Sequence, residues 1–215
     1  MSDKNETSAS RLNEILADHG TDALELIAAK RFVEYCTLLL RWNSRLNLTA
    51  IRDEEGILRR HFVESIACAR ALPAGVDTLL DFGSGAGFPG IPIALCHPEI
   101  AVTLAESQNK KAAFLSEAVR VLGINAKVHS GRAEELDAVF DCVTLRAVDK
   151  MEAAVQTAVR LVRPGGRMAL MTTGKELAAL QLAAGEQFTW HGAIPLPDGQ
   201  DRILAMGVRE INSPA

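Results

Sequence analysis

No stretch of this 215-residue chain is apolar for long enough to span a bilayer: its uninterrupted apolar runs stay below about ten residues, where a membrane helix needs about eighteen or more. Met1 to Ser10 is polar and mixed in charge, without the apolar core of a secretory signal or the arginine-rich pattern of a transit peptide. The chain is therefore read as a soluble, cytoplasmic protein. Cysteine is scarce. Cys36, Cys68, Cys96 and Cys142 match neither a zinc-ligand spacing nor a CxxC pair, and are expected to be reduced, mostly buried thiols with no metal. Internal repeats and low-complexity segments are missing, and a composition 48% hydrophobic and 23% charged excludes disorder and fibres. A chain of this length buries about 70% of its unfolded surface, so it needs no disulfide to stay folded.

A strong excess of one charge is also missing. The net charge of −4 argues against a generic polyanion binder. Its distribution is uneven: from Lys30 to Arg70 eight Lys/Arg face five acids, and from Arg146 to Lys175 six face two. If these segments meet in the fold they make a basic face on an acidic protein, although charge alone does not separate that from a solvated surface.

Helical spacing of Leu24, Ile27, Arg31, Tyr35, Leu38 and Trp42 predicts an amphipathic helix over residues about 22 to 43, after a frayed start. A second helix is expected from Asp53, as N-cap, to about Leu72, ended by Pro73-Ala74-Gly75. From Asp77 short strands alternate with helices. Strands are expected at Thr78–Phe82, Val102–Ala105, Lys127–His129, Cys142–Leu145 and Met168–Met171, and helices over Ile91–Cys96, Lys110–Leu122 and Met151–Val162. That alternation demands right-handed crossovers and a parallel sheet. Phe188–Ile194 and Arg202–Val208, joined by a loop from Pro195 to Gly199, should pair antiparallel. The expected fold is α/β: a doubly wound, Rossmann-like sheet, mostly parallel, with a C-terminal antiparallel hairpin and N-terminal helices, the usual layout of a class I methyltransferase. Residues 1–75 are read as the helical extension and 76–215 as the cofactor-binding domain, one compact unit.

The chemistry concentrates where strands end. Asp81-Phe82-Gly83-Ser84-Gly85-Ala86-Gly87-Phe88-Pro89-Gly90 follows a strand and opens a helix, and its glycines let backbone approach a ligand where a Cβ would intrude. Gly85, Gly87 and Gly90 fit the GxGxxG of a dinucleotide site, while Gly83, Gly85 and Gly87 fit the GxGxG turn of adenosylmethionine enzymes. Glu106, at the end of the second strand, can accept from both ribose hydroxyls of an adenosine in either class, with Ser107 beside it. Gly131-Arg132-Ala133-Glu134-Glu135 falls where an adenine would lie, with a backbone N–H for a ring nitrogen and Glu134 for the exocyclic amine. Arg146, at the carboxyl end of the fourth strand, is placed to hold a cofactor carboxylate or to position the substrate, and is the candidate catalytic residue. No Ser-His-Asp set and no HExxH occur, and His61 in Arg59-Arg60-His61-Phe62 reads best as a structural hydrogen-bonding group.

Taken together, Trp42-Asn43, Asn47-Leu48-Thr49-Ala50-Ile51, His61-Phe62, Gly83 through Pro92, Glu106-Ser107, Lys110-Lys111, Phe114-Leu115, Gly131 through Glu134 and Arg146-Ala147 resemble the bacterial small-subunit rRNA guanine-N7 methyltransferase family, RsmG, once called GidB. The resemblance runs in order from about Tyr35 to Arg209. It implies methyl transfer from S-adenosylmethionine to N7 of a guanine, position 527 in the 530 loop of 16S rRNA. Cofactor contacts are implied at Gly83, Phe88, Ala133, Glu134 and Arg146, and the loop adds Ser84, Gly85 and Gly87. RNA contacts are expected at Arg41, Arg45, Arg59, Arg60, His61 and Lys175, with 16S rRNA or the small subunit as partner and the protein acting as a monomer. Two departures from the family pattern stand out: Glu106 replaces the usual Asp, and Leu145 replaces the usual Ser before the arginine. A nicotinamide-dependent oxidoreductase, a non-catalytic RNA-binding module and a small-molecule methyltransferase are the rival readings of the same residues.

Overall fold

The computed structural model describes residues 2–197 and 201–211, with side chains from Asn5 onward, so part of the expected 195–199 connection lies outside the described residues. Helix α1 (Ser2–Asp18) replaces the expected frayed start. Its first residues are polar, but Ala9, Leu12, Ile15 and Leu16 fall on one face and are buried, which holds it against its neighbours. Helix α2 (Leu26–Leu46) begins later than residue 22, buries Phe32, Tyr35, Cys36 and Leu39, and ends where Asn47 turns left-handed with φ 49°. The helix from Asp53 comes in three pieces. Helix α3 (Glu54–Gly56) is capped by Asp53, whose Oδ1 accepts from the Gly56 N–H at 2.7 Å. A π-helical segment (Ile57–Phe62) then widens the turn, closed by the Val63 N–H donating to the Leu58 carbonyl, and α4 (Val63–Ala71) completes it.

The alternation that follows is β1 (Thr78–Phe82), α5 (Gly90–Cys96), β2 (Ala101–Ala105), α6 (Asn109–Leu122), β3 (Ala126–His129), β4 (Phe140–Arg146), α7 (Met151–Ala158), β5 (Val162–Thr173), α8 (Gly174–Ala184), β6 (Phe188–Trp190), β7 (Ile194–Pro195) and β8 (Arg202–Arg209). The sheet runs β3-β2-β1-β4-β5-β8-β6, with β7 also against β8. Strands β1 to β5 are parallel, and β8 lies antiparallel between β5 and β6, as the closing hairpin requires.

Three local expectations are corrected. The helix from Met151 stops at Ala158, and β5 already starts at Val162, so Pro164-Gly165-Gly166 lies within the strand where its register against β4 shifts. Phe188–Ile194 splits into β6 and β7. Helix α8, not anticipated, starts with a capping box in which Thr173 and Glu176 bond reciprocally.

Adjacent strand residues point to opposite faces, so Leu79 and Leu80 enter different cores. Leu79 and Leu104 pack with Leu12, Phe32, Phe62 and Phe114 of the helices on one face. Leu80, Val143 and Leu145 pack with Val155, Leu161 and Leu180 on the other. Between β1 and β4 the strand order reverses, and the crevice at their carboxyl ends is where open α/β sheets take ligands.

Candidate active site

The chain leaves β1 through a loop that only a sequence this rich in glycine can make. Gly83 and Gly85 have φ of 71° and 58°. A Cβ on Gly83 would meet Val148 at 3.2 Å, and one on Gly90 would sit 2.4 Å from Leu104 and 2.7 Å from Asp81, so the helix that follows packs directly on the sheet. Asp81 is buried beneath this loop and accepts from the Gly90 N–H at 3.2 Å and from Thr144 Oγ1 at 2.9 Å. Glu106 fixes the loop from the neighbouring strand: one carboxylate oxygen accepts from the Gly85 N–H at 2.9 Å and the other from the Gln108 N–H at 2.7 Å. Ser84 is spent on the loop itself, its Oγ donating to the Asp81 carbonyl.

Two cavities meet over this loop. One, of about 430 Å³, is walled by Gly83, Ser84, Gly85, Phe88, Glu106, Ser107, His61 and Arg146. The other, of about 380 Å³, shares Gly83, Glu106 and Ser107 with it and extends to Ala133 and Glu134. Nearly every expected cofactor residue thus falls on one continuous cleft. Gly87 stands apart: a Cβ there would strike Ile91 at 2.5 Å and the Tyr35 hydroxyl at 2.8 Å, so it serves close packing behind the loop. Arg160 holds the far wall by donating to the carbonyls of Glu134 and Leu136.

Arg146 is buried in the cleft wall, and its guanidinium is largely committed to the protein. Nη2 shares its two N–H groups among Glu64 at 2.7 Å, the Arg60 carbonyl at 3.2 Å and His61 Nδ1 at 3.1 Å, and Nη1 donates to Ser65 Oγ at 3.1 Å. Burial lowers its pKa to about 10, which leaves it charged at neutral pH. Glu64, with no solvent-exposed side-chain surface, also pairs with Arg202 of β8 at 3.1 Å. Sequence reasoning missed Glu64, Ser65 and Arg202 because no local spacing links them to Arg146.

His61 lies in the same wall, stacked on Phe88 with ring centroids 4.5 Å apart. Burial, then the charges of Arg146, Arg202 and Arg60, push its pKa down to about 3, so the ring is neutral. An arginine can only donate, so Nδ1 accepts and Nε2 carries the proton toward Thr49 Oγ1, 2.8 Å away. Thr49 and Leu48 also line the cleft. Their turn is closed by the buried Asn43, whose Oδ1 accepts from the Thr49 N–H and whose Nδ2 donates to the Ile51 carbonyl, both at 2.9 Å. That accounts for the spacing of Asn43, Thr49 and Ile51 within the segment that carries the resemblance.

Of the other basic residues, only Arg60 borders this wall among those expected to contact RNA. Arg41 pairs with Glu117, with Trp42 Nε1 on the same carboxylate and Arg45 nearby. Arg59 pairs with Glu55, Arg60 is exposed beside Glu64 at 3.8 Å, and Lys175 is exposed in the first turn of α8. Among the described residues no group of His, Cys, Asp or Glu could hold a metal ion, and no helix is long and apolar enough to cross a membrane.

The family model described as GidB, rRNA small subunit methyltransferase G, matches residues 28–196. Ribosomal RNA small subunit methyltransferase G of Xanthomonas campestris pv. campestris is 42% identical over 164 residues, covering 74% of this chain and 76% of that protein. The protein of the same name from Stenotrophomonas maltophilia is 43% identical over 166 residues, 76% of each chain. Among solved structures, a SAM-dependent O-methyltransferase from Thermotoga maritima superposes with a TM-score of 0.58 at 15% identity, covering 82% of this chain and 73% of that one. TYW2 of M. jannaschii, in complex with AdoMet, superposes with a TM-score of 0.56 at 12% identity, covering 70% and 75%. These likenesses establish the class I methyltransferase fold. With its matched span and its close relatives, the chain belongs to the rRNA small subunit methyltransferase G family.

Proposed function

We propose that this chain transfers a methyl group from S-adenosylmethionine to N7 of a guanine in the 530 loop of 16S rRNA, acting as a monomer. Its family accounts for methylation of small-subunit rRNA; the cleft argues for the acceptor atom. The residues fit an adenosine that carries a methionine. Gly83 offers a surface that a Cβ would close against Val148, Glu106 and Ser107 face the shared space between the two cavities, and Ala133 and Glu134 line its far end. We assign Gly83, Ser84, Gly85 and Phe88 to the methionine side, Glu106 and Ser107 to the ribose, and Ala133 and Glu134 to the adenine. Gly87 supports them from behind.

When bound, S-adenosylmethionine supplies a methyl group already activated on a sulfonium. The observation that carries the N7 reading is the state of the proton acceptors around the cleft. His61 has its basic nitrogen capped by Arg146, and Glu106 has both oxygens on backbone N–H groups. A hydroxyl acceptor must lose a proton, and neither of these two groups is free to take it, while Asp149 and Glu134, the other carboxylates lining the cavities, are solvent-exposed. Guanine N7 has a lone pair at neutral pH and loses none. Catalysis then rests on holding the acceptor in line, which can contribute on the order of 7–11 kcal/mol. Arg146, fixed by Glu64 and Ser65, positions the incoming base. Side chains cannot enter the deep major groove of A-form RNA, so the target is an unpaired or splayed guanine. Arg60, with Arg41, Arg45, Arg59 and Lys175, would hold surrounding phosphates, and residues 1–75 form a helical layer around the 76–215 cofactor-binding domain.

Two measurements test this reading. Calorimetry should show binding of S-adenosylhomocysteine and none of NADH. Mapping of 7-methylguanosine in 16S rRNA from cells with and without the protein should show one 530-loop guanine that loses its methyl group, and an unchanged map would refute the assignment.

A further inference from the structure

The proton bookkeeping of the cleft reaches one atom further than the methylation itself requires. Arg146 can only donate, so His61 Nδ1 accepts and His61 Nε2–H donates to Thr49 Oγ1. The Ile51 N–H also points at Thr49 Oγ1, at 3.3 Å. Both lone pairs of that hydroxyl are therefore taken. Its own proton has no acceptor among the described residues, and Thr49 lines the cleft together with Phe88 and Arg146. A hydroxyl is ordinarily ambivalent, but here it can only donate.

We propose that Thr49 is a guanine-selecting residue, its hydroxyl donating to O6 of the base whose N7 receives the methyl group. The inference rests on the N7 reading above and deepens it. Guanine presents two acceptors on its Hoogsteen edge, N7 and O6, whereas adenine presents N7 beside an N6 amine that donates. A fixed donor next to the methyl-transfer position therefore pairs with guanine and meets adenine donor to donor. Arg146 sets this polarity from two bonds away, through a ring kept neutral, without touching the base at O6. Asn43 keeps the threonine in place through the Thr49 N–H.

The test uses the full-length protein and 30S subunits reconstituted on 16S rRNA whose target base, placed by ligation of a synthetic segment, is guanine, inosine or 2-aminopurine. Inosine keeps O6 and 2-aminopurine lacks it. The wild type should methylate guanine and inosine with similar kcat/KM and 2-aminopurine at least about tenfold more slowly. Thr49→Val should lose at least about tenfold on guanine and should no longer distinguish it from 2-aminopurine, while Thr49→Ser stays within about threefold of wild type. Intrinsic differences between the bases cancel when the two enzymes' ratios are compared. S-Adenosylhomocysteine affinity and melting temperature show whether Thr49→Val is folded, and the wild-type comparison of bases stands without any variant. A valine variant with the wild-type ratio of guanine to 2-aminopurine, or a wild type indifferent to O6, overturns the inference and leaves the N7 reading intact. A wild type that puts no methyl group on N7 of guanine fails at the earlier step and overturns both.

Discussion

Asp81 lies under the glycine-rich loop, cut off from water, and burial lifts its carboxyl to about 6 despite hydrogen bonds from Thr144 and Gly90 that favour the charged form. An aspartate so raised favours folding while protonated. That contribution is complete below about pH 4 and is lost as pH rises through 6, a change on the order of 3 kcal/mol. Buried His61, depressed to about 3, works in the opposite sense, losing stability as pH falls from about 6.5 toward 3. It is common to both proteins, so the difference between wild type and Asp81→Asn isolates Asp81. Denaturant unfolding should show the variant gaining on wild type between pH 4 and 6.5, and a pH-independent gap would reject the assignment. Arg146→Ala removes a buried cation from Glu64, which keeps Arg202 at 3.1 Å. We expect a stability loss of about 3 kcal/mol, toward the low end for breaking a buried pair, read from the urea midpoint. Single-turnover methyl transfer should fall at least about a hundredfold, and a variant as active as wild type would remove Arg146 from the site. Arg146 and Glu106 were legible because strand ends and a glycine turn mark them. Glu64, Ser65 and Arg202 were not, because their meaning lies in contacts across 81 residues or more between α4, β4 and β8.

At the level of elements, legibility follows how self-sufficient each one is. Strands β1, β2, β4 and β5 carry short apolar runs that are mostly buried, so their sequence announces them, whereas the edge strand β3 is only partly buried. Helix α1 announces less, because its apolar residues are few and its meaning comes from the surface it covers. Helix α8 did carry a signature, Thr173 followed by Glu176 three residues on, that composition-led reading passes over beside an antiparallel hairpin. The π-helical segment has no local signature at all. The turn after α2 depends on one side chain, since Asn43 is 2% exposed and bonds both sides of Thr49. Asn43→Ala leaves the Thr49 N–H and the Ile51 carbonyl without that partner. It should cost about 1–3 kcal/mol in denaturant unfolding and should depress methyl transfer more than S-adenosylhomocysteine binding. Equal loss of both would point to a general collapse of the cleft.

For the whole molecule, net charge and function pull in opposite directions. A chain of net charge −4 that works on RNA needs its cations to act locally, yet several candidates are already paired: Arg41 with Glu117, Arg59 with Glu55. Arg60 is the more available of the pair Arg59-Arg60, its side chain 47% exposed beside the cleft wall. Substrate KM should therefore rise steeply with salt while S-adenosylhomocysteine affinity changes little, and Arg60→Ala should weaken RNA binding more than Arg59→Ala. Equal salt dependence for both ligands would contradict this division. Leu12 and Phe32 of the N-terminal helices share a core with Leu79 and Leu104 of the sheet. That continuity has a practical corollary in the thiols. Cys36 sits in the helical layer and Cys142 in the sheet, both buried and with their thiols pushed up to about 12, so alkylating reagents reach them only through molecules that have opened. Matching labelling rates at the two positions would describe one cooperative unit, and an early Cys36 would describe a cap that lifts before the barrier between native and open sheet is crossed.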